Sequence, residues 1–69
     1  MKISAKNTLK GIIKSITMGP VSAEIAIELP GGTLITSVIT HSSAESLGLT
    51  VGSPAYAIIK ASNVIVGVD

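Results

Sequence analysis

Val21-Ser22-Ala23-Glu24-Ile25-Ala26-Ile27-Glu28-Leu29 decides how this chain folds. Val21, Ala23, Ile25, Ile27 and Leu29 alternate with Ser22, Glu24, Ala26 and Glu28. A period of two puts the first set on one face of a β-strand, and an apolar face of that kind is buried. Met18-Gly19-Pro20 ahead of it reads as a turn, which makes residues 10–17 its hairpin partner. Pro30-Gly31-Gly32 behind it supplies the positive φ angles of a tight turn. The following run, Leu34-Ile35-Thr36-Ser37-Val38-Ile39-Thr40, is rich in β-branched residues and reads as a third strand.

The pattern then changes. Ser42 or Ser43 can cap a short helix, and Glu45 is spaced for a capping box from Ser42. Ala44 and Leu47 are expected to face inward, with Gly48 as the left-handed C-terminal cap. Val51-Gly52-Ser53-Pro54 returns the chain to extended conformation. Residues 55–60 and 64–68 are predicted as the last two strands, joined around Ala61-Ser62-Asn63. Three strands, a short helix and two strands is the order of an OB-fold. The expected class is therefore all-β with one short helix, a five-stranded OB barrel forming a single domain over residues 1–69. Residues 3–7 are expected to form a further short strand that pairs with another subunit.

Of the 69 residues, 46% are hydrophobic, and the mean hydropathy is +0.67. A domain of this length buries only about 60% of the surface its unfolded chain exposes. With no cysteine there is no disulfide or thiolate metal site to staple it. One small core cannot cover so much apolar surface, so a homo-oligomer is expected. A transmembrane helix needs about 20 predominantly apolar residues in a row. The stretch over 29–44 is free of charge but broken by Pro30, Gly31, Gly32, several hydroxyl residues and His41. Met1-Lys2-Ile3-Ser4 lacks the apolar run of a secretory signal, so a cytoplasmic protein is expected, without a membrane partner. Net charge is +1, with five lysines and no arginine. That is too little excess for a general polyanion binder, and Lys2, Lys10 and Lys14 read as a solvated strand face.

Three tracts carry the chemistry. Ser4-Ala5-Lys6-Asn7 and Lys60-Ala61-Ser62-Asn63 contain the same four residue types, and Thr40-His41-Ser42-Ser43 adds hydroxyls. Together they offer ammonium, hydroxyl and amide donors and no carboxylate. A small oxyanion fits such a shell, because all of its oxygens accept and none donates. Catalysis is not expected: His41 and Asp69 are the sole residues of their types. Glu24 and Glu28 would sit about 13 Å apart on one strand face, too far for a paired carboxylate mechanism. No cluster has metal-ligand spacing, and no phosphate-binding or dinucleotide fingerprint is present. An OB module for single-stranded nucleic acid is the principal alternative, but such modules stack bases on aromatic rings, and Tyr56 is the only aromatic residue. Lys60 lacks the flanking residues of a biotinyl or lipoyl carrier site. An assembly whose anion sites are incidental is the third reading.

Ile3-Ser4-Ala5-Lys6-Asn7, Leu9-Lys10-Gly11, Ala23-Glu24, Gly31-Gly32, Ile39-Thr40, Leu47-Gly48-Leu49, Gly52 and Ile59-Lys60-Ala61-Ser62 form a combination that covers nearly the whole chain. In that combination the chain resembles the molbindins, the small Mop-domain family also called molybdenum-pterin-binding proteins. The resemblance implies an OB-fold that binds molybdate or tungstate as its ligand, with no organic cofactor. It also implies a hexamer built as a trimer of dimers, with the oxyanion held between subunits. By motif position, Ser4 and Lys6, Thr40 and Ser43, and Lys60 with the backbone of Ala61 would hold it. The turn containing Gly19, Val21 and Ser22 would supply a second oxyanion site on a symmetry axis. Many family members have arginine where this chain has Lys6, so the charge is kept and the bidentate fork is lost.

Overall fold

A computed structural model describes all 69 residues. Strands β1 (Asn7–Met18), β2 (Ser22–Glu28) and β3 (Leu34–Thr40) are followed by helix α1 (His41–Ser46), strand β4 (Pro54–Ile59) and a 3₁₀ turn at Ala61–Asn63. The strands form one antiparallel sheet in the order β3-β2-β1-β4. The architecture is mostly β with one short helix, a four-stranded sheet curled into a half-barrel.

The curl originates in β1, whose two halves serve different partners. From Asn7↔Ile59 to Ile12↔Pro54 it pairs with β4, and from Ile12↔Glu28 to Met18↔Ala23 it pairs with β2. Between these segments the register slips, because Ile13 faces Ile27 while Ser15 faces Ala26. Lys14 is the extra residue of a β-bulge, which bends the strand and increases its twist. The inward face shifts with it, from Gly11 and Ile13 before the bulge to Ile16 after it. The sheet closes over Ile13, Ala23, Ile25, Ile27, Ala44 and Ala57. Gly11 sits where β1 crosses β2 most closely. A Cβ there would lie 2.5 Å from the Glu28 carbonyl oxygen and 2.7 Å from Ile27 Cγ2.

The hairpin from β2 to β3 matches its sequence signature: Gly31 and Gly32 have φ of 96° and 97°, and Leu29 N–H bonds Thr33 O at 2.7 Å. Ala23, Ile25 and Ile27 are buried as the alternation requires, but Val21 lies outside β2 and is 77% exposed. The helix starts earlier than predicted. Thr40 is its N-cap, not Ser42 or Ser43. Ala44 is buried, while Leu47 lies in the C-cap and is exposed; Leu49 packs against the core in its place.

Two strand expectations are corrected. Residues 3–7 do not form a separate strand, since Asn7 opens β1 and pairs with Ile59. Residues 64–68 are not a fifth strand either. They leave the 3₁₀ turn as extended, unpaired chain, with Ile65 and Val68 each 94% exposed. The five-stranded barrel is thus four strands within this chain, because no strand of the chain lies beside 64–68 to bond it. The gap is visible as a groove of about 320 Å³ between the open edges, lined by Ile35, Thr36 and Ser37 of β3 and Tyr56, Ile58 and Ile59 of β4.

Only 7 of 69 residues are buried, and the chain exposes 5220 Å². A compact monomer of 6.9 kDa would expose about 4,000 Å². The difference, about 1,200 Å², exceeds the roughly 800 Å² per partner of a standard protein interface.

Because β1 and β2 leave no room at their crossing, Gly11→Ala is expected to cost about 1–3 kcal/mol through overpacking. Lys2→Ala, exposed ahead of β1, should change stability by less than about 0.5 kcal/mol. Urea denaturation of the two variants checks this, and equal midpoints would mean that the crossing is not tight.

Candidate functional site

The junction between β3 and α1 is organised by hydroxyls. Thr40 has extended backbone angles, and its Oγ1 accepts the Ser43 N–H at 3.0 Å, which satisfies one of the amides that a helix start leaves free. The same hydroxyl donates to Ser43 Oγ at 2.7 Å, and Ser42 Oγ lies 3.4 Å from it. The proton of Thr40 is therefore committed to Ser43, and Ser43 Oγ keeps its own proton for an outside acceptor. Ser46 Oγ donates to Ser42 O at 2.9 Å, further fixing the short helix.

His41 ties this junction to the turn between β1 and β2. Its backbone N–H donates to Val21 O at 2.8 Å, its ring Nδ1 donates to Gly19 O at 2.7 Å, and its Nε2 meets the Glu45 carboxylate one helical turn on. The bond to the Gly19 carbonyl raises the His41 pKa above the usual histidine value, and the Glu45 charge adds to that against the opposing effect of desolvation. A raised folded-state value means the contact stabilises the fold fully below the ordinary histidine pKa. That contribution is lost as pH rises through the folded value. In the turn itself, Gly19 N–H bonds Ser22 O at 2.8 Å, and Ser22 pairs with Thr40 across the sheet.

The other donors lie at the far end of β1. Asn7 pairs with Ile59, so the segment ending at Lys6 and the segment starting at Lys60 both leave the sheet at this end. Lys60 is the N-cap of the 3₁₀ turn, without a side-chain capping bond, and Ser4, Lys6, Lys60 and Ala61 are all exposed. The structure thus brings the predicted residues into two groups: Ser4, Lys6, Lys60 and Ala61 at one end, and Thr40, Ser43, Gly19, Val21 and Ser22 at the other. A straight twelve-residue strand would separate those ends by roughly 36 Å. One chain cannot wrap all six donors around a single small anion.

His41 is the junction-forming residue that sequence reasoning missed, where it was considered as a catalytic group and set aside. Its signal was the spacing to Glu45, four residues on, a helical neighbour distance. Its carbonyl partner at Gly19 had no signal in the sequence. The remaining lysines are engaged as a solvated face would have them. Lys14 Nζ lies 3.8 Å from Glu28 Oε2, and Lys10 Nζ lies 5.9 Å from the centre of the Tyr56 ring. No group of three or more His, Cys, Asp or Glu side chains is placed to hold a metal ion, and no helix is long and apolar enough to cross a membrane.

A curled half-barrel with open edges and donor-rich ends defines a small β module built around its termini and turns. The TOBE domain model matches residues 3–66, and the chain belongs to that family. A probable molybdenum-pterin-binding protein of Haemophilus influenzae is 48% identical over 69 residues, spanning all of both chains. Among solved structures, MopII from Clostridium pasteurianum superposes with a TM-score of 0.92 at 39% identity, over 97% of this chain and 100% of its own. The cytoplasmic molybdate-binding protein ModG, solved with molybdate bound, gives 0.95 at 49% identity; it matches all of this chain, which spans 49% of ModG.

Removal of the cap hydroxyl gives a direct check on the junction. Thr40→Ala is expected to lower stability by about 0.5–2 kcal/mol, whereas Thr40→Ser keeps the capping oxygen and most of that energy. Chemical denaturation of both variants measures it, and equal losses would mean that the hydroxyl bonds contribute little.

Proposed function

We propose that this chain binds molybdate or tungstate between subunits of a homo-oligomer and serves as a cytoplasmic store of the oxyanion. The observation that carries the proposal is the division of a donor set without carboxylates between the two ends of β1. Ser4, Lys6, Lys60 and the backbone of Ala61 would form one half-shell, and the Ser43 hydroxyl, held in place by Thr40, would form the other. A neighbouring copy that brings its Thr40 end against the Lys60 end of the first would close the shell. The relationship to molybdenum-pterin-binding proteins and to ModG with molybdate bound supplies the ligand class. The second site would lie at Gly19, Val21 and Ser22, with the Ser22 hydroxyl as a donor, where His41 holds the turn.

Assembly follows from the same surfaces. The exposed apolar tail over 64–68 and the groove between β3 and β4 are complementary in kind, an unpaired extended segment and a pair of unpaired edges. A second copy supplying its tail would complete the fifth strand of an OB barrel, and repetition around a threefold axis would give a hexamer. Nucleic-acid binding is less well supported: Tyr56, the one aromatic residue, is half exposed beside Lys10 and has no second ring near it on which to continue a base stack.

The donor-only shell also sets selectivity. A fully deprotonated dianion accepts from every group, whereas hydrogen phosphate must give its own proton to an acceptor. Leaving that proton unpaired costs about 1–3 kcal/mol. Calorimetric titration with molybdate, repeated with phosphate as competitor, tests the reading, and phosphate should bind at least several-fold more weakly. In the same experiment Lys60→Ala should lose roughly ten- to a hundredfold in affinity, the worth of a charge-assisted hydrogen bond. Lys14→Ala, whose lysine pairs with Glu28, should bind as the parent does. Equal losses for both lysines would point to diffuse electrostatics instead of a site.

The assembly has a separate check. Light scattering and sedimentation should show a hexamer that persists on dilution to low micromolar concentration. A monomer under those conditions would remove the inter-subunit sites altogether.

A further inference from the structure

Glu45 is the one carboxylate beside the Thr40–Ser43 hydroxyl pair, and something must keep it out of a shell that works by containing no carboxylate. It is the only acidic residue on α1, and it stands three residues after Ser42, the spacing at which helical side chains meet. Ser42 Oγ in turn lies 3.4 Å from Thr40 Oγ1. A freely rotating Glu45 would therefore reach the hydroxyl cluster. In the structure it does not, because its carboxylate is taken by His41 Nε2. The ring cannot follow Glu45 away, since Nδ1 is bonded to Gly19 O and the His41 backbone N–H to Val21 O. The other charged groups on the elements around this junction are elsewhere: Glu28 on β2 faces Lys14, and Glu24 lies between Thr17 and Val38 in the sheet. Neither β3 nor the turn over 19–22 carries an ionisable side chain.

We propose that His41 is a specificity-determining positioning residue, which holds the Glu45 carboxylate away from the Thr40–Ser43 hydroxyl pair and thereby keeps the oxyanion shell free of carboxylate. This rests on the oxyanion reading and deepens it. His41 touches no ligand. It acts through Glu45, anchored on the turn that would form the second site, so one side chain both braces that turn and guards the first shell. Loss of the guard has two consequences of opposite sign. A released carboxylate repels a dianion, and it also offers hydrogen phosphate the acceptor that its proton lacks.

The experiment compares the full chain with His41→Leu, Glu45→Gln and the double variant, after circular dichroism and light scattering have shown the same fold and assembly. Each is titrated with molybdate and then with molybdate in the presence of phosphate. In His41→Leu, molybdate affinity should fall about two- to fivefold, the scale of an exposed charge interaction. The preference for molybdate over phosphate should narrow by about fivefold or more, the lower end of the cost of an unpaired proton. The double variant should regain both, because its released side chain no longer carries charge. Glu45→Gln alone should keep the parent's preference, and a changed preference there overturns the inference even if the leucine variant fails to fold. A merely structural histidine would weaken both anions together, and the glutamine would not rescue it. An unchanged anion preference in His41→Leu, or no rescue in the double variant, overturns the inference. Absence of molybdate binding by the parent chain would overturn the oxyanion reading itself.

Discussion

One bend in one strand governs this molecule. β1 must leave β4 and join β2 within twelve residues, and it does so by giving Lys14 no partner and Gly11 no side chain. The bulge reorients the inward face, so Ile13 and Ile16, three residues apart, point into the same core where an unbroken strand would alternate. The bare backbone at Gly11 lets the two sheet directions cross at contact distance. Everything downstream depends on this crossing. The β2–β3 hairpin wraps far enough for Ser37 and Ile39 to approach Ala55 and Tyr56, and α1 drops Ala44 into the end of the half-barrel.

The same bend leaves the fold unfinished. A curled sheet of four strands has two edges, and here both face a groove instead of each other. Edges of this kind are normally blunted, covered or paired. This chain leaves them open and carries an apolar, unpaired segment at 64–68. Burying an extra 1,200 Å² or so at about 25 cal/mol per Å² would contribute tens of kcal/mol before the cost of association is subtracted, even if only part of that area is apolar. That is large beside the marginal stability expected of a domain with six buried hydrophobic side chains. If copies assemble as proposed, association is part of how the chain becomes stable.

What the sequence made legible were the elements whose cause is local. The alternation over 23–27, the two glycines of the β2–β3 turn, and Gly48 after the helix each follow from side-chain period or from positive φ, and each appears where its pattern puts it. The opening of β1 was missed because Asn7, Thr8 and Leu9 are extended by pairing with β4, fifty residues later. The cap was displaced to Thr40 because three of the residues 40–43 carry hydroxyls, and composition does not say which has the extended backbone a cap requires. The fifth strand failed for a different reason: 64–68 has strand-like residues, but a strand needs a neighbour, and this chain offers none. For the site, residue types were legible and grouping was not. Nothing local distinguishes Ser4 beside Lys60 from Ser4 beside Thr40.

That grouping links ligand to assembly. If the two half-shells lie at opposite ends of one strand, the anion meets its full complement of donors only where two copies touch. Ligand and partner then stabilise each other, since whatever binds only the assembled state shifts the equilibrium toward it by mass action. The lysines make the direction clear. On the proposed reading, Lys6 and Lys60 at one end would repel each other without an anion, and a dianion between them would turn that repulsion into attraction. A chain with net charge of only +1 has little long-range field to collect anions. On the proposed reading its affinity would come from short, directed bonds at an interface, and hence from the precision with which Thr40, Ser43 and Lys60 are presented by the ends of a bent strand.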